Sequence, residues 1–137
     1  MELNEFSHYH TMRKILIALL FATTLVVPPA VFAEGTLSGS FVDADWIHKT
    51  QGTATITVED ETSILSLEDF KTTNGPDLYV YLSTDEKASV FVNLGRLQSS
   101  NGDQTYEIPE GVDLSKYDKV LIWCKAFGVL FGTAELS

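Results

Sequence analysis

The sequence predicts an all-β fold, a single antiparallel β-sandwich of about seven to nine short strands. Two observations predict it. From residue 34 onward, apolar and polar residues alternate over short segments, and clusters of Gly, Pro, Asn and Asp separate these segments. In addition, this region has no stretch that keeps the 3.6-residue apolar period of an amphipathic helix.

Each expected strand is bounded by such turn signals. The strands cover residues 36–42, 52–59, 63–67, 78–83, 90–97, 104–108, 119–127 and 130–136. The fourth strand shows the alternation clearly, because Leu78 and Val80 fall on one face and Tyr79 and Tyr81 on the other. An Asn-Gly-Pro-Asp turn precedes it. Residues 112–117 are expected to form one helical turn.

The seventh expected strand, residues 119–127, is apolar on both faces, which is typical of a central strand. One face carries Val120, Ile122, Cys124 and Ala126, and the other carries Leu121, Trp123, Lys125 and Phe127. Cys124 is therefore expected in an apolar interior, where a thiolate is scarce. Lys125 points the other way and is not placed to activate the thiol.

A cleavable secretory signal is predicted over residues 12–33. Arg13 and Lys14 supply its positive charge, residues 15–27 form its apolar stretch, and Pro28 stops any helix. The apolar stretch is shorter than the roughly 20 residues that a membrane span needs. The segment is therefore interpreted as a signal and not as an anchor.

Cleavage is expected after Ala33, because the Val-Phe-Ala sequence that ends there suits a signal peptidase. Residues 1–33 are then the signal peptide, with Met12 as an alternative start, and residues 34–137 form one domain. No cysteine lies near the cleavage site, which argues against a lipoprotein. The expected location is secreted, periplasmic or at the cell envelope.

Composition excludes some classes of partner. The formal net charge is −10 at pH 7, and an acidic domain repels the phosphate backbone of nucleic acids. No second long apolar run follows the signal, so no membrane span is expected in the mature chain.

The single cysteine of the sequence, Cys124, frames the functional question. Exported small domains usually carry paired cysteines. A lone cysteine is either an inert buried residue, an intermolecular disulfide, or a group for redox or ligand chemistry. The residues around Cys124 favour the buried core residue, and the apolar setting makes the intermolecular link the least favoured of the three.

Several separated motifs resemble the DM-thirteen domain, also called the electron-transfer DM-thirteen domain. The closing motif is Ile-Trp-Cys-Lys-Ala-Phe-Gly-Val-Leu-Phe-Gly-Thr-Ala at residues 122–134. Further matching segments lie, in the family's order, at residues 35–41, 48–54, 67–83 and 106–109. Together these segments cover nearly all of the expected domain.

The resemblance implies a redox or electron-transfer module of the kind that occurs beside DOMON-type domains or alone in exported bacterial proteins. It implies that Cys124 is the redox residue, as a naked thiol or as the ligand of a prosthetic group such as haem. This sequence contains no DOMON domain, so an unidentified redox or cell-surface protein is the expected electron partner. A redox accessory or binding domain is favoured over a stand-alone enzyme.

Haem is the cofactor that the residues allow, since a thiolate is a known axial ligand. Cys124, Trp123 and Phe127 are the candidate cofactor-binding residues, with Phe131 as a further aromatic. The alternative is that these aromatics are core residues. Covalent attachment of a c-type haem is excluded, because there is no Cys-x-x-Cys-His motif.

Metal sites are not predicted. Blue copper needs two histidines and a cysteine, usually with a methionine, whereas the expected domain has only His48 and no methionine. Structural zinc lacks ligands for the same reason. Asp43, Asp45 and the acidic run 59–61 are a weak calcium option without an EF-hand pattern. His48 is interpreted as a surface or turn histidine.

Two function hypotheses follow. The first is an exported redox module centred on Cys124. The alternative is a non-catalytic interaction domain at the cell envelope, which binds through acidic loops or through aromatics such as Trp46 and Tyr79 and keeps Cys124 as a core residue.

Overall fold

The computed structural model describes residues 34–137. The predicted signal segment and its cleavage site lie outside the described residues and stay predictions. Within residues 34–137, no helix is long and apolar enough to cross a membrane.

All regular secondary structure of the described region is β-strand, as the sequence predicts. The eight strands formed by residues 34–137 are β1 (Gly35–Asp43), β2 (Thr50–Glu59), β3 (Thr62–Thr72), β4 (Leu78–Ser83), β5 (Phe91–Arg96), β6 (Gln104–Ile108), β7 (Lys119–Cys124) and β8 (Val129–Glu135). Every neighbouring pair is antiparallel. The predicted antiparallel sandwich is confirmed, with a strand number inside the expected range.

The strands form one nearly closed, barrel-like sandwich in the order β5-β4-β7-β8-β1-β2-β3-β6. Strand β1 belongs to both halves, since residues 35–40 pair with β2 and residues 41–43 pair with β8. The two end strands, β5 and β6, approach each other. Beside them, the backbone N–H of Gln98 donates a hydrogen bond of 2.9 Å to the hydroxyl of Tyr106.

Two strand ends differ from the sequence prediction by three residues or more, and the others by two at most. Strand β3 continues five residues beyond the predicted end at Leu67, because Thr72 still pairs with Thr50 of β2. The sequence did not predict this extension, because the acidic pair after Leu67 interrupts the apolar alternation. A bulge at Gly52 (φ 112°) accommodates the longer strand. Strand β7 ends at Cys124 and not at residue 127, because the chain turns there and Gly128 takes a φ of 62°.

The expected helical turn at residues 112–117 is a hydrogen-bonded turn. The N–H groups of Lys116 and Tyr117 donate to the carbonyl of Asp113 at 3.1 and 3.0 Å. The side chain of Asp113 also accepts the N–H of Ser115 at 3.0 Å. One polar turn closed by its own aspartate connects β6 to β7.

The core lies between the two halves of the sheet. Its fully buried members include Ile56, Leu65, Leu67, Val80, Leu82, Val120, Ile122 and Cys124. Strand β7 lies between β4 and β8, so the predicted central strand is confirmed. Burying one such aliphatic side chain stabilises a fold by about 1.5–3 kcal/mol, so the alternating pattern of these strands largely determines which face points inward.

The two halves meet at close backbone contacts beside β1. A Cβ atom at Gly39 would collide with the backbone carbonyl of Glu135, and one at Gly132 would collide with the side chain of Thr50. Thr50 is itself buried, and its hydroxyl donates to the Phe131 carbonyl at 2.9 Å. The two glycines therefore let β1, β2 and β8 approach at the bend of the sheet.

We expect Gly39→Ala to lower the free energy of unfolding by at least about 2 kcal/mol, because the added methyl group must displace backbone. Gly35→Ala in the same strand is the matched control, since a Cβ there has nothing within 4 Å. Chemical denaturation measures both variants, and equal stabilities would contradict the close approach.

Candidate functional site

Cys124 is the last residue of β7, and its thiol is completely buried. In the strand register it lies opposite Leu78 of β4 and Val129 of β8. Its side chain belongs to the apolar core together with Leu78 and Phe131. The alternation of β7 therefore places the thiol inside the barrel, as the sequence predicts.

The loop at residues 74–77 closes the barrel beside Cys124. The backbone N–H of Lys125 donates to the carbonyl of Asp77 at 2.9 Å. A Cβ atom at Gly75 would lie 2.9 Å from both the Leu78 side chain and the Phe131 ring. The loop thus packs directly on the residues that surround the thiol.

A histidine–aspartate pair lies on the Phe131 ring. The ring centroids of His48 and Phe131 are 4.3 Å apart, and His48 Nδ1 lies 2.7 Å from Asp45 Oδ2. The N–H groups of Ile47 and His48 donate to Asp45 Oδ1 at 2.8 and 2.7 Å. His48 therefore sits in an ordered β1–β2 loop with 22% of its side chain exposed.

These hydrogen bonds determine the charge state of Asp45. The bond with the His48 ring, followed by the bond from the His48 N–H, lowers the pKa of Asp45 from 3.8 to about 2. The pKa of Asp43 is also lowered, mainly because its carboxylate accepts the Thr50 N–H at 2.8 Å. Two acids of the calcium option, Asp43 and Asp45, therefore accept hydrogen bonds from within the loop and its flanking strand. In the described part of the chain, no three His, Cys, Asp or Glu side chains group as a metal site.

The three candidate cofactor-binding residues do not line a common pocket. Cys124 points into the core, while Trp123 occupies the opposite face of β7 beside Tyr79. Phe127 lies in the β7–β8 turn and is 71% exposed. The further aromatic, Phe131, does share the apolar core with Cys124.

The residues around Cys124 therefore do not fit a haem. A macrocycle on the thiol would have to replace packed core side chains such as Leu78, and neither Trp123 nor Phe127 would contact it. A groove of about 210 Å³ runs nearby, between residues 74–78 and 96–100. Leu78 lines this groove, but Cys124 does not.

An aromatic cluster, which we define as Tyr79, Tyr81, Phe91 and Trp123, covers the outer face of β4, β5 and β7. The ring of Tyr81 stacks on Phe91 at 4.1 Å and lies 6.3 Å from the ring of Trp123. The rings of Tyr79 and Tyr81 are 6.2 Å apart. Alternation along β4 predicts that its two tyrosines share a face. The contacts with Phe91 and Trp123 depend on strand order and register, which the sequence does not provide.

Two cations complete this face. The Arg96 guanidinium lies 5.1 Å and the Lys125 ammonium 5.4 Å from the centre of the Tyr79 ring. Arg96 also pairs with Asp77 at 3.1 Å. Lys125 follows Cys124 in sequence, yet its ammonium group lies on the outer face, over Tyr79, and not beside the thiol.

The Asp45 contacts imply a defined pH dependence. Because folding lowers this pKa, the stabilisation is present above the ordinary value of 3.8 and is lost as the pH falls through about 2. We expect Asp45→Asn to lower the free energy of unfolding near neutral pH. The difference in this free energy from the parent protein should shrink as the pH falls from 3.8 to about 2. Denaturation at several pH values measures it.

Asp60→Asn is the control for that measurement. It removes the same charge from a left-handed turn residue (φ 53°), a conformation that asparagine also tolerates. A pH-independent effect of Asp45→Asn, or an equal effect of the two variants, would contradict the role given to the Asp45 hydrogen bonds.

Comparison with known proteins gives one family. Residues 40–136 match the family described as Electron transfer DM13. No curated protein and no solved structure gives a significant match. The matched range contains Cys124, the loop beside it and the aromatic cluster, and it includes most of the 137 residues. The chain therefore belongs to the electron-transfer DM13 family.

Proposed function

We propose that this protein is an exported redox module whose electron-transfer centre is the thiol of Cys124. Membership of an electron-transfer family supports a redox or electron-transfer function in general. The observation that carries the finer proposal is the placement of the only cysteine, Cys124, on the central strand beside the 74–77 loop.

Burial is compatible with this role. A free thiol in an oxidising compartment reacts with oxidants and other thiols unless it is shielded. Cys124 is completely buried, and the 74–77 loop packs on Leu78, the partner of Cys124 in the strand register. While the loop is closed, this burial shields the thiol from small reagents and keeps it reduced in such a compartment.

Access to the thiol requires only a local movement. Cys124 ends its strand, and the next residue, Lys125, is exposed. Opening of the 74–77 loop would break the Lys125–Asp77 hydrogen bond and lift Gly75 from Phe131. Such local openings need less free energy than global unfolding. Cys124 is therefore proposed as a gated thiol.

Export is part of the proposal and rests on the signal-like sequence at residues 12–33, with cleavage after Ala33. A domain without disulfides and with a net charge of −10 would then reside in the periplasm, at the cell envelope or outside the cell. Its electron partner would be a separate redox or cell-surface protein.

An interaction domain at the cell envelope is the second candidate function. It is favoured by the exposed loop residues Trp46 and Ile47, which are 82% and 51% exposed. In that case the full burial of Cys124 is a matter of core packing alone.

Thiol labelling of the purified protein separates the two candidates. We expect a chromogenic disulfide reagent to label Cys124 under native conditions faster than global unfolding allows, with a rate that low denaturant hardly changes. We expect Pro76→Gly, which loosens the covering loop, to raise this rate several-fold. Pro109→Gly, in the loop after β6, is the matched control and should leave the rate unchanged.

Labelling that follows global unfolding in all three proteins would support the interaction domain. Redox titration of Cys124→Ala, which avoids burying a serine hydroxyl without a partner, gives an independent result. A redox response that is unchanged by this substitution would contradict the thiol centre.

The absorption spectrum tests the cofactor. Because the residues around Cys124 do not fit a haem, we expect the protein purified from a secretory host to show only tryptophan and tyrosine absorption. A visible band that is lost in Cys124→Ser would contradict this expectation and would identify a chromophore held by the thiol.

A further inference from the structure

The aromatic cluster contains three side chains that can be oxidised by one electron, namely Tyr79, Tyr81 and Trp123. Their ring centres form a connected series, with 6.2 Å between the tyrosines and 6.3 Å between Tyr81 and Trp123. The rings of Tyr81 and Trp123 are close to parallel, at 25°. Electron tunnelling slows steeply with distance, so rings in near contact exchange electrons much faster than isolated ones.

The cluster adjoins the proposed redox centre. Trp123 and Cys124 are consecutive residues of β7, with the indole on the outer face and the thiol in the core. Only the strand backbone separates the two side chains. Trp123 is also partly exposed, so an electron acceptor can reach its edge from solvent.

The charges around the cluster and the burial of its rings determine which ring is oxidised first. Arg96 and Lys125 both lie over Tyr79, and positive charge disfavours the loss of an electron from that ring. Tyr81 is only 3% exposed; burial, with smaller contributions from Tyr79 and Asp77, raises the pKa of its phenol, which is protonated at neutral pH even at the ordinary value of 10.0. Its oxidation must therefore release a proton, which makes the partly exposed Trp123 the first donor.

We propose that Trp123 and Tyr81, with Tyr79 beside them, form an electron relay from Cys124 to a one-electron acceptor that docks on the outer face of β4 and β7. The inference rests on the proposed function for its inner end at the thiol. The acceptor belongs to the class of one-electron metal complexes or metalloproteins.

Each step of the relay balances. The acceptor gains one electron from Trp123, and the indole radical cation loses its N–H proton to solvent. The indole radical then gains an electron and a proton while Tyr81 loses one of each. Finally, the phenoxyl radical regains both, while the Cys124 thiol loses one electron and, through water admitted by the opened loop, its proton.

Laser-flash oxidation of the purified protein by a ruthenium(III) polypyridyl complex tests the relay. Transient absorption distinguishes the indolyl radical from the tyrosyl radical. In the parent protein we expect an indolyl signal that decays into a tyrosyl signal. Trp123→Phe should reduce the tyrosyl yield several-fold. Trp46→Phe is the matched control, since Trp46 is 82% exposed and lies outside the aromatic cluster, and it should leave the decay into the tyrosyl signal intact.

A second pair of variants makes the test independent of any change in folding around Trp123. Tyr81→Phe should prolong the indolyl signal several-fold, while Tyr117→Phe, outside the cluster, should not. Equal behaviour within both pairs of variants would overturn the relay and leave the cluster as packing alone.

Cys124→Ala separates the relay from the proposed function. A tyrosyl signal that lasts longer in this variant supports both the relay and the thiol centre, because the thiol no longer quenches the radical. An unchanged lifetime, with the Trp123 and Tyr81 effects present, supports the relay and contradicts the thiol centre.

Discussion

The pairing of β1 with two different partners is the constraint on which the rest of the structure depends. Because residues 35–40 pair with β2 and residues 41–43 with β8, one strand joins both halves of the sandwich. The bend brings the β1 backbone against Glu135, an approach that only glycine at position 39 permits. Without this bend the two halves would not face each other, and the apolar faces of β2, β3, β4 and β7 would not share a core.

The arrangement of the two halves also determines which side chains of β7 face the core and which face outward. Once β7 is central between β4 and β8, its alternation puts Cys124 inside and Trp123 outside. The inner side chain shares the core with Leu78 and Phe131. The outer one lies beside Tyr81 and opposite Tyr79, over which two cations lie. The proposed electron source and the proposed electron path are thus consecutive residues of one strand, kept apart by the strand itself.

The period-two pattern predicted the strands, the central position of β7 and the burial of Cys124, because each of these follows from which face of a strand is apolar. The end of β7 was misplaced, since Lys125 and Phe127 continue the alternation although Gly128 turns the chain. Contacts between distant strands were not predictable. The His48–Phe131 ring contact joins a loop to β8, and the Tyr81–Phe91 stack needs the β4–β5 register. A single sequence contains no information on that register beyond the hydrophobic pattern.

Burial and redox activity are often treated as opposites, since a shielded thiol is a poor nucleophile. The two properties separate when the reaction is electron transfer. A reagent must touch the sulfur, whereas an electron can cross the strand backbone from Cys124 to the aromatic cluster without such contact, and only the proton needs water. The 74–77 loop, held by the Lys125–Asp77 hydrogen bond, would then control the proton and not the electron. Because the thiol gives up its electron together with its proton, its oxidation would be limited by the rate of a small local opening, in a fold that otherwise stays closed.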